Sequence, residues 1–308
     1  MLSGLVIAHA VDRPGRTLAD YCQHRIARIG SVALPALMLS AAIAPCIGRD
    51  FTIYAVAPVW DATELWTGLT LNGGFIAQLW WLDRPPAFNA PFWSLNYEVW
   101  YYAIFGAWSY ARPRWRWPAA AIACAAAGPK IVLLLPVWLL GVGIYRVEWR
   151  LRQQAALTLF LMTAVLGALY FWYDLGIVVR YWMAARWPGF ISPLGGSNTF
   201  VGDFALGCIL AAHFAAAAHL PGPLGFLLKL RAIARSVASF TFSTYLFHLP
   251  LLALIWGGLG LRSPFAVLPL LAIGIGVLGA ATERQLPLFR RMLAALPIWH
   301  PVAAPPSR

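Results

Sequence analysis

Ser94 and Glu98 stand four residues apart in Phe92-Trp93-Ser94-Leu95-Asn96-Tyr97-Glu98, a stretch so aromatic and apolar that it belongs in a membrane. On a helix that spacing stacks hydroxyl and carboxylate on one face, with Trp93 and Tyr97 as a second pair beside them. An ionisable side chain at bilayer depth is costly, so it faces the bundle interior, takes a partner and marks a functional path. Glu98 can orient a histidine, take a proton from a hydroxyl, or hold an arginine across a bundle. The structural alternative is a buried carboxylate paired for packing specificity. Ser94 has no activating base in its own segment and is not expected to be a nucleophile. A serine in a membrane helix ordinarily bonds back to a carbonyl one turn earlier or to a neighbouring helix.

Four further groups carry chemistry. Arg25 and Arg28, three apart, put two guanidiniums on one face of a helix end, suited to bidentate contact with phosphates or, more simply, to fixing topology at lipid headgroups. His248 lies in the apolar run Thr244-Tyr245-Leu246-Phe247-His248, where a neutral, hydrogen-bonded imidazole is the default and an acid, base or substrate contact the functional reading. Glu283 adjoins Arg284 at a helix end, where local charge pairing is the economical account. Asp203 is an acid one turn into an apolar segment with no motif behind it. Cys22, Cys46, Cys124 and Cys208 show neither zinc spacing nor a disulfide framework and read as small buried hydrophobes, so no metal site is implied.

The elements that must position these residues are membrane helices. With 61% hydrophobic residues, 11% charged and 16 Trp, and a mean hydropathy of +0.69, the chain has no surface to offer water as a globule. Its 308 residues suffice for roughly eight or nine helices of about 20 residues, a single all-α polytopic bundle. The net charge of +12 does not indicate nucleic acid, because the arginines sit in short loops between apolar segments, the positive-inside pattern. Met1–Ala10 is apolar but about half the length of a spanning helix, and is expected to be the tail of a helix whose beginning is absent.

Apolar segments follow at about 29–47, 62–82, 92–110, 118–145, 155–173, 201–219, 238–257 and 264–282. Arg25 and Arg28, the cluster Arg146, Arg150 and Arg152, the group Lys229, Arg231 and Arg235, and finally Arg284, Arg290 and Arg291 are placed on the cytoplasmic side. Four crossings between Arg28 and Arg146 satisfy parity, though they leave Arg112, Arg114 and Arg116 outside. The less favoured arrangement makes 62–82 a re-entrant or surface element and splits 118–145 at Gly128-Pro129 into a hairpin of short arms. By parity the connection from Asp174 to Phe200 is external and suits a mouth or lid. Residues 285–308 are expected to be a cytoplasmic tail.

In order and separation, several of these motifs resemble one family. His24-Arg25-Ile26-Ala27-Arg28, the Phe-Trp-Ser-Leu-Asn-Tyr-Glu run, Ser243-Thr244-Tyr245-Leu246-Phe247-His248-Leu249-Pro250 and Thr282-Glu283-Arg284-Gln285-Leu286-Pro287 look like the acyltransferase 3 family of integral membrane O-acyltransferases. The resemblance covers nearly the whole chain, 1–308, as one membrane-embedded domain. It implies transfer of an acyl group, expected to be acetyl, from acyl-CoA to a hydroxyl of a glycan or lipid-linked sugar, in the inner (cytoplasmic) membrane. Acyl-CoA is then a donor substrate, and no bound cofactor or metal is implied. Carried over by motif, Arg25 and Arg28 match the Arg-x-x-Arg pair that meets CoA, and Ser94 and Glu98 match the Ser-x-x-x-Glu pair. His248 matches the late histidine, and Glu283 matches an accessory acid. Family members open with an additional helix bearing a basic residue and a histidine usually assigned as catalytic, then a helix with Leu-Ser-Gly-Phe. Here Met1-Leu2-Ser3-Gly4-Leu5 falls within that second helix, and His9 is no substitute for the histidine. The chain is therefore expected to be truncated, and nearly inactive until extended.

Two other classes compete. A transporter or channel would line a path with Glu98, Asp203 and His248 and break helices at Gly73-Gly74 or Gly195-Gly196, but no inverted repeat is visible. A non-catalytic remnant would only bind a partner acyltransferase.

Overall fold

The computed structural model describes residues 1–47, 62–220, 222 and 225–296. All its regular elements among those residues are helical: α1 (Leu2–Val11), α2 (Leu18–Ile43), α3 (Ala62–Gly73), α4 (Phe92–Tyr110), α5 (Arg116–Ala127), α6 (Pro129–Arg146), α7 (Gln153–Trp172), α8 (Leu175–Arg186), α9 (Pro188–Ile191), α10 (Phe200–Ala217), α11 (Arg231–Ala238), α12 (Thr241–Ala253), α13 (Pro264–Ala281) and α14 (Leu286–Ala294), joined by turns and short 3-10 and π segments. The all-α polytopic class is the one composition requires.

Among the described residues, five stretches are long and apolar enough to cross a membrane: Leu18–Cys46, Pro129–Arg146, Gln153–Trp172, Phe200–Ala217 and Pro264–Ala294. A sixth appears if α11 and Thr241–Gly258, bent by 48°, count as one broken span. The eight or nine segments expected are not all spans by this measure, and the shortfall has local causes. The 62–82 segment is helical only to Gly73, and the 118–145 segment breaks at Gly128. α4 has the length, but Tyr, Trp, Ser, Asn and Glu lower its apolarity. α7 shows why the rest belong in lipid: Leu161, Met162, Val165 and Leu166 are 47–58% exposed, on a helix with no polar face.

The chain divides into two compact units. The first holds Met1–Gly15, Phe75–Asp83 and Trp93–Ala234, and the second Arg16–Gly74, Arg84–Phe92 and the residues from Arg235 on.

In the first unit α6 packs against α1 and α10, and α10 against α7 and α8. Small residues set the α1–α6 approach: a Cβ on Gly141 would run into the Met1 carbonyl oxygen, and one on Gly4 into that of Trp138. The break before α6 is equally local. Gly128 adopts φ +85°, and a side chain there would strike the Trp80 backbone, 2.6 Å from its Cα. Two residues on, Lys130 is fully buried inside an apolar run. Its Nζ donates to the Leu82 carbonyl (2.6 Å) and Gln78 Oε1 (3.0 Å), while Gln78 Nε2 donates to Asp83 Oδ1 (2.7 Å). Backbone and amide oxygens thus satisfy an ammonium that lipid could not. Ser197 Oγ donates to the Lys130 carbonyl (2.7 Å) and meets the Tyr97 hydroxyl (2.9 Å). The 174–200 connection, expected to suit a mouth or lid, is mostly helical (α8, α9 and a 3-10 segment at Ser192–Ser197), and its end is pinned beside α4 and α6.

The second unit is built on α2, against which α3, α12 and α14 pack, with α13 against α12. Thr17 and Asp20 start α2 by a reciprocal cap: Thr17 Oγ1 accepts the Asp20 N–H (3.1 Å) and the Asp20 carboxylate accepts the Thr17 N–H (3.0 Å). Pro250 lies inside α12, has no N–H, and so leaves the Leu246 carbonyl without its helical donor. The buried Asn89 supplies one, its Nδ2 donating to Leu246 O at 3.0 Å, and Tyr245 OH donates to the Pro91 carbonyl at 2.8 Å. The segment leading into α4 is thus tied to α12. Part of the expected tail is also ordered: 286–294 form α14 on α2, while 297–308 lie outside the described residues.

Candidate active site

α4 is helical through the whole Phe92–Tyr110 stretch, so Ser94, Glu98 and Tyr102 recur at four-residue intervals along one face. Tyr102 OH donates to Glu98 Oε1. Ser3 Oγ lies 3.3 Å from Tyr102 OH, and Trp138 Nε1 donates to Ser3 Oγ at 3.0 Å. Chemistry sets the direction of this chain. An indole N–H only donates and an ionised carboxylate only accepts, so Trp138, Ser3 and Tyr102 all pass their protons toward Glu98. Such aligned bonds polarise one another and hold the carboxylate in one orientation. Ser3, Tyr102 and Trp138 were not singled out from sequence. Tyr102 was findable, one turn beyond Glu98, but Ser3 and Trp138 reach it only through the α1–α6 packing.

Ser94, one turn before Glu98, opens on a pocket of about 400 Å³ in the same unit. Met1 and three helices line it: Trp93, Ser94, Tyr97 and Tyr101 from α4, Leu134, Val137 and Trp138 from α6, and Asp203, Leu206, Gly207 and Leu210 from α10. Asp203, which had no motif, thereby lines the same pocket as Ser94. Its Oδ2 accepts from Thr199 Oγ1 at 2.6 Å. Aromatic walls with a few polar groups are the usual make-up of a small-molecule site.

The other sequence candidates lie in the second unit. Arg25 is half-buried and Arg28 exposed, on the same side of α2 about two and three turns after its cap. His248 is half-buried on α12, with Nδ1 3.0 Å from both the Thr244 and Tyr245 carbonyls. Carbonyls only accept, so Nδ1 carries the proton and, in the neutral ring, Nε2 keeps the basic lone pair. Glu283 does not turn to Arg284. Its Oε2 accepts both the Ser243 N–H and Ser243 Oγ–H, each at 2.9 Å, and so caps the first turn of α12, while Arg284 lies over the Phe240 ring at 4.3 Å. An acid at a helix N-terminus relieves orphan N–H groups, which outweighs pairing with an exposed neighbour. Among the described residues no group of His, Cys, Asp and Glu is arranged to hold a metal ion, and all four cysteines are free.

A family model described as an acyltransferase domain, that of acyltransferase 3, matches residues 1–282. No curated protein and no solved structure matches the chain. The matched region holds Arg25, Arg28, Ser94, Glu98 and His248 and stops one residue before Glu283. Covering most of the 308 residues of an all-helical chain with several membrane-length helices, the match makes this protein a member of the acyltransferase 3 family, a multi-pass membrane acyltransferase that transfers groups other than aminoacyl groups.

Proposed function

We propose that the protein takes an acyl group, acetyl in the simplest case, from acyl-CoA at the cytoplasmic face of the inner membrane and transfers it to a hydroxyl of a glycan or lipid-linked sugar. The observation that carries this reading is the carboxylate of Glu98, held by an aligned hydrogen-bond chain one turn from the pocket that Ser94 opens on. In the reaction the acceptor oxygen attacks the thioester carbonyl carbon and loses its proton to a base, and the C–S bond breaks as the C–O bond forms. The CoA thiolate leaves and takes up a proton. Glu98 suits the base, or the group that orients it. His248 suits the same role as a second candidate, because its Nδ1 faces backbone carbonyls and Nε2 keeps the lone pair of the neutral ring. Arg25 and Arg28 suit the CoA phosphates, since paired guanidiniums on one helix side form bidentate contacts. Aromatic faces with Asp203 and Ser94 suit an acceptor whose ring stacks and whose hydroxyls donate.

The direct test is acetyl transfer from radiolabelled acetyl-CoA into glycan, measured in membranes carrying the protein. Label should enter acid-stable, base-labile ester in the wild type and not in Glu98→Gln. Ester formation at equal rates in both would remove Glu98 from the chemistry, and hydrolysis without ester would remove the glycan acceptor.

A further inference from the structure

The region beyond the family match holds a group that the proposed reaction has not used. α14 packs on α2, and Arg290 on α14 lies within electrostatic range of Arg16, Arg25 and Arg28. His24 faces the same set, with Arg290, Arg16, Arg25 and Asp20 acting on it. Asp20 is the acid of this neighbourhood, and its carboxylate is committed to the Thr17 amide and hydroxyl at the cap of α2. Arg290 Nε is buried and has no hydrogen-bond partner among the described residues. A buried guanidinium N–H without an acceptor is unfavourable, and four clustered positive charges repel one another, so the cluster is fitted to an anion with several separated acceptor groups.

We propose that Arg290 and Arg16 join Arg25 and Arg28 in one polyphosphate-binding site, with Arg290 contacting the 3′-phosphorylated ADP head of CoA. This rests on the reading that the donor is acyl-CoA. CoA carries a pyrophosphate and a separate 3′-phosphate, enough oxygens to engage guanidiniums arriving from the loop before α2, from α2 and from α14. A lipid phosphodiester shares the chemistry but offers a single phosphate. Arg290 is thus a binding residue that reads the far end of the donor, away from its thioester.

Binding of CoA and of 3′-dephospho-CoA to the detergent-purified full chain tests this by calorimetry, alongside melting of the same protein in nanodiscs with and without phosphatidylglycerol. Wild type should prefer CoA to dephospho-CoA, and Arg290→Gln should weaken CoA binding about tenfold or more and reduce that preference. Arg290→Lys, which keeps the charge on α14 but not the fork, should fall between and serves if the Gln form does not fold. Arg291→Gln, on the exposed side of α14, is the control and should bind CoA as wild type does. Equal CoA affinity in wild type and the Arg290 variants overturns the inference and leaves the proposed reaction standing. Absence of CoA binding to the wild type overturns the acyl-CoA donor itself. Stabilisation by anionic lipid that depends on Arg290, with no effect of the variants on CoA, assigns the site to headgroups and overturns the inference.

Discussion

Glu98 gains its character from three donors that stand in line behind it. Tyr102 donates directly, and Ser3 and Trp138 polarise Tyr102 in turn. Glu98→Gln keeps the shape and removes the charge, so the acetyl-transfer rate should fall by roughly 10²–10⁴ if the carboxylate takes the proton, with melting temperature nearly unchanged. Tyr102→Phe removes one hydrogen bond to a charged group, a loss of about 1.5–3 kcal/mol, and should slow the reaction by roughly ten- to a hundredfold. A Tyr102→Phe enzyme as slow as Glu98→Gln would mean that the tyrosine, and not the carboxylate, meets the substrate. Initial rates with acetyl-CoA saturating separate the two cases.

Two helix junctions decide whether these residues are held in place. Pro250 removes a helical donor from Leu246 O, and Asn89 replaces it. Asn89→Leu should leave that buried carbonyl unsatisfied and destabilise the protein by about 1–3 kcal/mol, seen as a lower melting temperature with unchanged CoA affinity. Gly141 allows α1 to lie against α6. Gly141→Val should push α1 away, and because Ser3 rides on α1, the rate should drop toward that of Tyr102→Phe even in a preparation that still melts cooperatively. A fully active Gly141→Val protein would show that the Ser3 link does not tune Glu98. Neither junction has a strong local signature, since a glycine or an asparagine near a proline is common in any membrane protein.

At the scale of the whole molecule, the charge bias predicts an orientation, with Arg25 and Arg28 toward the cytoplasm and the end of α8 at Arg186 on the opposite side. Single cysteines introduced at 28 and 186, with Cys22, Cys46, Cys124 and Cys208 replaced, should therefore react with an impermeant maleimide from opposite sides of a right-side-out vesicle. Labelling of both from the same side would invert half of the topology. Composition determined that the chain is helical and embedded, because 61% apolar residues leave no other solvent for its surface. Local spacing determined the Ser94–Glu98 face and the family motifs, since each depends only on residues within a turn or two. What lay beyond sequence reading were contacts between residues far apart in the chain. Lys130 is satisfied by Leu82 and Gln78 from about 50 residues away, Glu283 pairs with Ser243 and not with its neighbour Arg284, and Arg290, in the expected tail, is brought onto α2 by α14. Sequence fixes which polar groups must find partners in a low-dielectric interior. Only packing decides which partners come within hydrogen-bonding distance, because that choice is made between helices and not along them.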